Sequence, residues 1–324
     1  MAPRTRKPKG TTTETQPTIS LIPALEFASC VIDDKVTEVR ISHGWLCATN
    51  GVVTVGHPVS EELDCAVRAA TLLAALRRCK EAYSLTQSAA AVSVKSGSFS
   101  ASAPATDPVL YAPCVPDDPC GPFSDDVRKA LAIVEPFTAE SEPRVVCSSV
   151  LLQGNSCVAT DGIALAEAWH GYHLPPDIVL PKKGVQLLCK VARPATSFGF
   201  SEGSLTVYFE GGAWLKLQRY QTKYADYGRL FPEHVIPREL PPKLFETVKA
   251  LQDFDDAFRM TPEGLAAEDG SAAFELPDMP EPQGYDGKRF LRFEPYVTSA
   301  DFAQPEKAVL FGDKFRGMIM GRRA

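Results

Sequence analysis

A short motif that recurs along the chain constrains the fold more than any other feature of the sequence. Residues 46–55 read LCATNGVVTV and residues 157–166 read CVATDGIALA, so Thr49 and Thr160 lie 111 positions apart. A weaker third copy, AEDGSA, places Asp269 108 positions after Asp161. Asn-Gly and Asp-Gly are typical of tight turns between antiparallel strands, because these residues tolerate a positive φ. Each copy therefore predicts a strand, a turn and a second strand.

The elements that flank the motif recur as well. Ser124 is suited to be an N-cap, and Asp125 and Asp126 would stabilise the first turn of the helix that follows. Period-2 alternation around Ser/Gly turns predicts hairpins further along. We predict a helix before each copy of the motif (22–32, 124–137 and 241–251), a second helix after it (69–83, 181–193 and a brief one at 295–302), and hairpins at 92–100 and 198–207. Residues 277–287 are predicted to form a loop.

The repeats predict an α+β protein of three tandem domains. We place a disordered basic tail at 1–18, a first domain at 19–117, a second at 118–235 and an abbreviated third at 236–324. A chain of repeated units usually builds an extended or ring-like surface rather than a deep catalytic cleft.

Composition narrows the class of protein. With 324 residues, 44% of them hydrophobic and 23% charged, the chain can bury a substantial core. The sequence has no apolar run of membrane-spanning length and no signal peptide, which predicts a cytoplasmic protein without a membrane partner. Nine cysteines without a repeated CxxC are typical of reduced thiols. We expect no cofactor and no metal, because the pairs His170/His173 and Cys114/Cys120 lack the further ligands of a metal site.

The net charge of −6 conceals a segregation of charge. The tail carries +3, residues 69–83 carry +2 and residues 181–193 carry +4, so the remainder carries −15. Basic helices on an acidic body can bind phosphates of any sequence. The signals of base-specific readout are missing from the sequence, which predicts binding that does not depend on sequence.

Three blocks of sequence, in this order and spacing, resemble the middle domain of the bacterial DNA polymerase sliding clamp, the β subunit of the replicative polymerase. The blocks are VATDG at 158–162, IVLPKKGV at 178–185 and YADYGRLFP at 224–232. The chain end, AVLF at 308–311 and MIMGRRA at 318–324, is similar to the C-terminal strand of that family. The clear similarity covers roughly residues 120–235 and the last 17 residues.

The resemblance implies a head-to-tail homodimer of three-domain subunits, closed into a ring with sheets outside and helices around the hole. Such a ring encircles double-stranded DNA, slides on it and tethers a DNA polymerase for processive replication, without enzymatic activity of its own. The predicted DNA-binding residues are basic residues of the second helices and their surroundings: Arg77, Arg78, Lys80, Arg144, Lys182, Lys183, Lys190 and Arg193.

The family also binds short linear peptides of polymerases and of the clamp loader in an apolar pocket between its second and third domains. Carried over by motif, that pocket comprises Cys147, Thr160, Gly162, Leu165, Ala225, Leu230, Met318, Met320 and Arg323. Two departures from the family pattern affect it. Ile163 and Ala164 replace the usual His-Arg, and residues 321–324 read GRRA in place of Pro-Met-Arg-Leu, which should change the depth of the pocket. Such divergence would suit a virus-encoded member with its own partners.

Two alternatives remain open at this stage. The same fold could act as an interaction hub for transcription or repair factors. A protein of a different class, a thiol-dependent hydrolase that uses Cys147 or Cys157, would need a histidine close to one of these thiols in a cleft.

Overall fold

The computed structural model describes residues 21–80, 82–108, 115–140, 143–276, 283–304 and 306–322. The predicted disordered tail and Arg323, which was predicted to line the partner pocket, lie outside these residues. Two compact units emerge from the contacts: the described parts of Met1–Ala48 and Gly56–Pro113, and those of Thr49–Val55 and Cys114–Ala324.

In its described residues, the first repeat has two packed helices and seven antiparallel strands. Its elements are α1 (Leu21–Ala28), β1 (Glu38–Ser42), β2 (Trp45–Thr49), β3 (Val53–Pro58), β4 (Cys65–Arg68), α2 (Ala69–Arg78), β5 (Ser84–Gln87), β6 (Ala91–Ser96) and β7 (Phe99–Thr106). The strand order is β5-β6-β7-β4-β1-β2-β3. Leu72 and Leu76 of α2 are buried, and α2 packs on β6 and β7 as well as on α1.

From its first helix onward, the second repeat has the same order of helices and strands. Its elements are β8 (Pro119–Pro122), α3 (Asp125–Val134), β9 (Ser149–Leu152), β10 (Ser156–Thr160), β11 (Ala164–Trp169), β12 (Ile178–Pro181), α4 (Lys182–Lys190), β13 (Ala195–Phe200), β14 (Ser204–Phe209) and β15 (Trp214–Gln218). Short 3-10 helices lie at Glu135–Phe137, Val145–Ser148, Glu210–Gly212 and Tyr227–Leu230. The strands form the arrays β12-β9-β10-β11 and β15-β14-β13-β8.

The third repeat is shorter but keeps the pattern. Its elements are β16 (Arg238–Glu239), α5 (Leu244–Leu251), β17 (Ala257–Thr261), β18 (Gly264–Ala267), β19 (Ala273–Glu275), β20 (Gln283–Asp286), α6 (Gly287–Leu291), β21 (Ser299–Asp301), β22 (Lys307–Gly312) and β23 (Phe315–Met320). Strand β23 pairs with β11, which makes one sheet of the order β12-β9-β10-β11-β23-β22-β21-β16. The four remaining strands form a sheet of the order β19-β18-β17-β20.

Both strong copies of the repeated motif form the same turn. The Asn50 side-chain oxygen accepts hydrogen bonds from the backbone N–H groups of Val52 and Val53, at 3.1 and 2.9 Å. Asp161 Oδ1 accepts the equivalent hydrogen bonds from the N–H groups of Ile163 and Ala164, at 3.0 and 2.8 Å. The threonine before each turn donates its hydroxyl to the carbonyl at the end of the turn. The following glycines, Gly51 and Gly162, have φ of 85° and 92°, a region that favours glycine.

The predicted α+β architecture of repeated helix and antiparallel sheet is thus confirmed, whereas the three domain boundaries stay a prediction. The second helix of the third repeat was placed wrongly at 295–302. It lies at Gly287–Leu291, where the Asp286 side chain accepts a hydrogen bond from the Arg289 N–H and caps the helix. Residues 283–286, predicted to be part of a loop, form β20 instead.

Aromatic packing joins the second repeat to the third. Phe137, at the end of the α3 segment, and Phe293, just after α6, have ring centroids 4.7 Å apart. Phe315 of β23 lies 6.2 Å from each of them. All three rings are buried, so the two repeats share one apolar core. Among the described helices, none has the length and apolar character needed to span a membrane.

Candidate nucleic-acid and partner interfaces

The two helices of the second repeat form a fixed pair. Ser124 Oγ accepts a hydrogen bond from the Asp126 N–H and so caps α3, as the sequence predicts. From α3, the Arg128 guanidinium donates to the carbonyl oxygens of Val191 and Arg193, just past the end of α4. These bonds hold the segment that follows α4 against α3.

The predicted DNA-binding residues of α4 differ in how accessible they are. Lys183 and Lys190 are exposed, opposite the buried Val185 and Leu188. The Lys182 side chain is only 11% exposed, and its ammonium group lies 2.5 Å from Glu140 Oε1 and 3.9 Å from Glu135 Oε1. Arg193 is half-buried and lies beyond the helix, which ends at Lys190. The positive charge of this surface therefore comes mainly from Lys183 and Lys190.

The first repeat presents a similar surface on α2. Arg78 and Lys80 are exposed, and Lys80 lies after the end of the helix at Arg78. Arg77 Nη2 is 2.8 Å from Glu26 Oε1 of α1. One of the three predicted cations is thus paired within the protein, as Lys182 is in the second repeat.

A third basic helix was not identified from the sequence. Lys288 of α6 is 70% exposed and lies 2.7 Å from Asp256 Oδ1. Two arginines, Arg289 and Arg292, follow it. The segment Asp-Gly-Lys-Arg at 286–289 resembles Pro-Lys-Lys-Gly at 181–184, and an Asp before a basic run is a helix-start signal that could have located it. All three repeats therefore carry a basic second helix with one cation paired to a carboxylate near the first helix.

The predicted partner pocket gathers around β11 and β23. Leu165 and Met318 are buried and lie opposite each other in this strand pair. Leu165 also belongs to an apolar cluster with Val158 and Tyr224. Burial, with Cys147 close by, raises the pKa of Tyr224, so its hydroxyl stays protonated. Thr160 is half-buried and its hydroxyl closes the turn, whereas Gly162 and Ala225 are exposed.

The segment that carries Ala225 and Leu230 is anchored by a buried ionic network. The Tyr227 hydroxyl donates to Glu167 Oε1 at 3.1 Å, and Arg316 Nε donates to Glu167 Oε2 at 2.7 Å. Burial and the neighbouring Glu167 carboxylate raise the pKa of Tyr227 to about 12. The Arg316 guanidinium lies 4.0 Å from the centre of the Phe231 ring, a favourable cation–π contact. This network fixes the segment on the strand pair.

Apolar side chains remain at the surface of the same region. Ile163 is 39% exposed, Leu230 45% and Met320 36%. The Met320 N–H donates to the Ile163 carbonyl oxygen at 2.9 Å, and Lys307, which lies opposite Met320 in the β22–β23 pair, donates to the Leu230 carbonyl oxygen at 2.6 Å. Exposed apolar residues held this close by backbone contacts are typical of an interaction surface.

Arg144, predicted to contact DNA, lies at this pocket instead of on a basic helix. Its Nη2 atom is 2.8 Å from the position that a Cβ on Gly162 would take. The side chain therefore covers the turn at Gly162, and a contact of Arg144 with DNA stays a prediction.

The turn next to the pocket is charged, which the sequence alone did not indicate. Asp161 Oδ2 accepts hydrogen bonds from Arg289 Nε at 2.8 Å and Arg292 Nη1 at 3.0 Å, across more than a hundred positions of sequence. Burial opposes the charged form of Asp161, but bonds from the Ala164 and Ile163 N–H groups and from Arg289 lower the pKa of this carboxyl below its ordinary value. The pocket turn of the second repeat is thus tied to α6 of the third.

The thiols of the rival hydrolase hypothesis lie in the interior. Cys147 is 3% exposed and Cys157 is fully buried, and burial raises the pKa of the Cys157 thiol well above its ordinary value. A nucleophilic cysteine needs an accessible thiolate, so the environment of Cys157 is unfavourable for this chemistry.

Comparison with solved structures identifies the fold. The chain is similar to the DNA polymerase III subunit beta of Pseudomonas aeruginosa, with a TM-score of 0.80, 15% identity, and 94% of this chain and 98% of that chain covered. The Helicobacter pylori beta clamp bound to a DNA ligase peptide is similar with a TM-score of 0.78 and 15% identity, and the match covers 94% of this chain and 98% of that chain. The DNA polymerase III beta subunit of Thermotoga maritima has a TM-score of 0.76 and 14% identity, and the match covers 94% of this chain and 97% of that chain. No protein-family model matches the sequence, and no curated protein matches it significantly. The clamp fold that the sequence resemblance implied is confirmed.

Proposed function

We propose that this protein is a DNA sliding clamp that encircles double-stranded DNA and tethers a DNA polymerase for processive replication. The observation that carries the proposal is the combination of a clamp fold over 94% of the chain with a basic second helix in every repeat. Exposed cations on helices can contact phosphates without reading bases, as a sliding protein requires. The proposed role is that of a processivity factor in the cytoplasm, with no cofactor and no catalytic activity of its own.

The proposed ring is a homodimer, and the third repeat offers a suitable edge for subunit contact. Among the described strands, β19 lies at one end of its sheet and β18 is its partner there. Its three residues are exposed, including Phe274 at 40%. An unpaired edge with an exposed aromatic side chain favours addition of a strand from another chain. Sedimentation equilibrium should give a mass near twice 35.2 kDa; a monomer at all concentrations would contradict the closed ring.

Partner recruitment is proposed to occur at the surface formed by Ile163, Leu230 and Met320. One solved relative with this fold is bound to a peptide of DNA ligase. In this chain the contact between Arg316 and the buried Glu167 holds the segment that carries Leu230 in place, so that short linear peptides of a polymerase and of a clamp loader could bind a preformed surface.

Topological retention is the experiment that distinguishes a ring from a basic protein that simply sticks to DNA. The dimer is dissociated by dilution, reconcentrated on nicked circular plasmid and passed over a sizing column at 0.5 M salt, a condition chosen for the assay. A ring stays with the circular DNA and is lost after one restriction cut. Equal loss from circular and linear DNA contradicts the proposal. The hub alternative keeps the retention but gives no increase in the length of product made by a polymerase.

A further inference from the structure

We infer that the partner surface selects peptides that carry a carboxylate beside an apolar side chain, and that Arg292 binds this carboxylate. The inference rests on the proposed function, since it specifies the chemistry of the peptide that the clamp would recruit.

Two guanidinium groups meet at this turn, and neither is fully used. The Arg292 guanidinium makes one hydrogen bond within the described residues, from Nη1 to Asp161 Oδ2 at 3.0 Å, and its charge also acts on the Glu140 carboxylate that Lys182 binds. Arg289 donates from Nε to Asp161 and from Nη1 to Asp286 Oδ2 at 2.7 Å. Since a guanidinium has five N–H donors, both residues keep donors that the described part of the chain does not engage.

The burial of these groups determines which of them a partner can reach. The Asp161 side chain is 3% exposed, whereas those of Arg289 and Arg292 are 30% and 31% exposed. The carboxylate is therefore sealed inside and the outer edges of both guanidinium groups face solvent. A surface that exposes donors while burying their acceptor favours an anionic ligand group.

The exposed side chains near Arg292 favour a peptide over nucleic acid as the ligand. Ile163, two residues after Asp161, is 39% exposed, and Met320, whose N–H is bonded to the Ile163 carbonyl, is 36% exposed. A phosphate backbone offers no apolar group for these side chains. An extended peptide offers both chemistries, because alternate side chains can place an apolar group on Ile163 and Met320 and a carboxylate on Arg292.

The test begins with a random decapeptide library displayed on phage and selected on the full-length protein. We expect the selected peptides to combine Leu, Ile, Met or Phe with Asp or Glu within two positions. Apolar peptides without acidic enrichment would contradict the inference but leave peptide recruitment intact. A failure to select any peptide would overturn both, while retention on circular DNA would still stand.

Variants of Arg292 then locate the effect. With the wild-type protein, replacement of Asp by Asn in a selected peptide should weaken binding about tenfold in fluorescence anisotropy, as expected for one charge-assisted hydrogen bond. In Arg292→Gln this discrimination should fall to within about twofold, and Arg292→Lys should give an intermediate value. Arg259→Gln, which removes an exposed arginine of β17, is the matched control and should keep the tenfold discrimination.

The neutral peptide separates direct contact from a structural role. If Arg292 only supports the fold, Arg292→Gln will weaken binding of the Asp and Asn peptides equally, and the inference is then wrong. If Arg292 contacts DNA instead, the variant will reduce the salt dependence of DNA binding and leave peptide discrimination unchanged, which also overturns it.

Discussion

The Asn50 turn and the Asp161 turn have the same local structure but different surroundings. In each turn, a side-chain oxygen accepts two hydrogen bonds from backbone N–H groups. The carbonyl two residues later accepts a hydrogen bond from the end of another strand. The Gln218 N–H donates to the Val52 carbonyl and the Met320 N–H donates to the Ile163 carbonyl, both at 2.9 Å. Asp161 alone of these two adds two arginine contacts. Replacement of an amide by a carboxylate thus turns a repeated junction into an ionic one.

This difference shows how a repeat protein can specialise one of its junctions without changing its backbone. The hydrogen bonds that shape the turn need only an oxygen acceptor, which both Asn and Asp provide. The second oxygen of Asp161 is free of that task and holds Arg289 and Arg292 of the next repeat. The specialised junction is the one next to the proposed peptide surface.

The largest effect is expected for Asp161→Asn, which makes the second turn identical in chemistry to the first. The turn bonds persist, but the two arginines lose a buried carboxylate, and unfolding in urea should show a loss of about 3 kcal/mol. Asn50→Asp is the matched control and should change stability by less than about 0.5 kcal/mol, because a turn oxygen is kept and the site is partly solvated. Equal effects would show that the ionic contacts add nothing.

The pH dependence of the stability of wild type and of Asp161→Asn tests the role of the Asp161 charge directly. The pKa of Asp161 is lowered in the folded state, so its contribution is present above the ordinary value of about 3.9 and is lost as pH falls through the lower, folded value. The gap in unfolding free energy between wild type and Asp161→Asn should therefore shrink as the pH falls below about 4. A gap that does not change with pH would point to packing rather than charge.

Alanine at the two turn glycines is expected to have a smaller effect. Both positions have a positive φ, 85° at Gly51 and 92° at Gly162, so Gly51→Ala and Gly162→Ala should each cost about 1–2 kcal/mol. At Gly51 a Cβ meets open space, but at Gly162 it lies 2.8 Å from Arg144 Nη2. Arg144 must then move, so Gly162→Ala should also alter peptide binding while Gly51→Ala should not. Thermal denaturation and anisotropy measure the two quantities.

The smallest effect is expected for the threonines that precede the turns. Thr160→Val and Thr49→Val remove the hydroxyl that closes each turn, at 2.8 and 3.2 Å from its carbonyl acceptor. Each should cost about 1 kcal/mol in urea unfolding. A much larger loss at Thr160 would mean that the threonine, and not Asp161, distinguishes the two turns.

The sequence predicted the repeats because the turn chemistry is local. Thr, Asn or Asp, and Gly must be adjacent for the turn to form, so the motif is visible without a structure. The α4 and α2 positions followed from the same logic. The helix α6 was misplaced because Gly287 opens it and prolines flank the region, which weakened the helical pattern.

The contacts of the pocket depend on tertiary structure and could not be predicted. Arg289 lies 128 positions from Asp161, and Glu167 lies 149 positions from Arg316. No local pattern links such partners. Arg144 was assigned to the DNA-facing side by its position in the middle domain, which does not indicate that its side chain covers the turn at Gly162. The resemblance identified residues of the pocket, but the ionic contacts around it are visible in the structure alone.

The pairing of one cation per basic helix has a consequence for how the proposed ring would move along DNA. Arg77 with Glu26, Lys182 with Glu140 and Lys288 with Asp256 repeat one arrangement in three places. On the proposed ring, a phosphate that approaches such a cation exchanges with a carboxylate of the protein, and the carboxylate returns when the phosphate leaves. The cation is never left without a counter-charge, so each step costs little and the friction between ring and duplex stays low. The slope of DNA affinity against salt concentration should accordingly correspond to fewer charges than the helices carry.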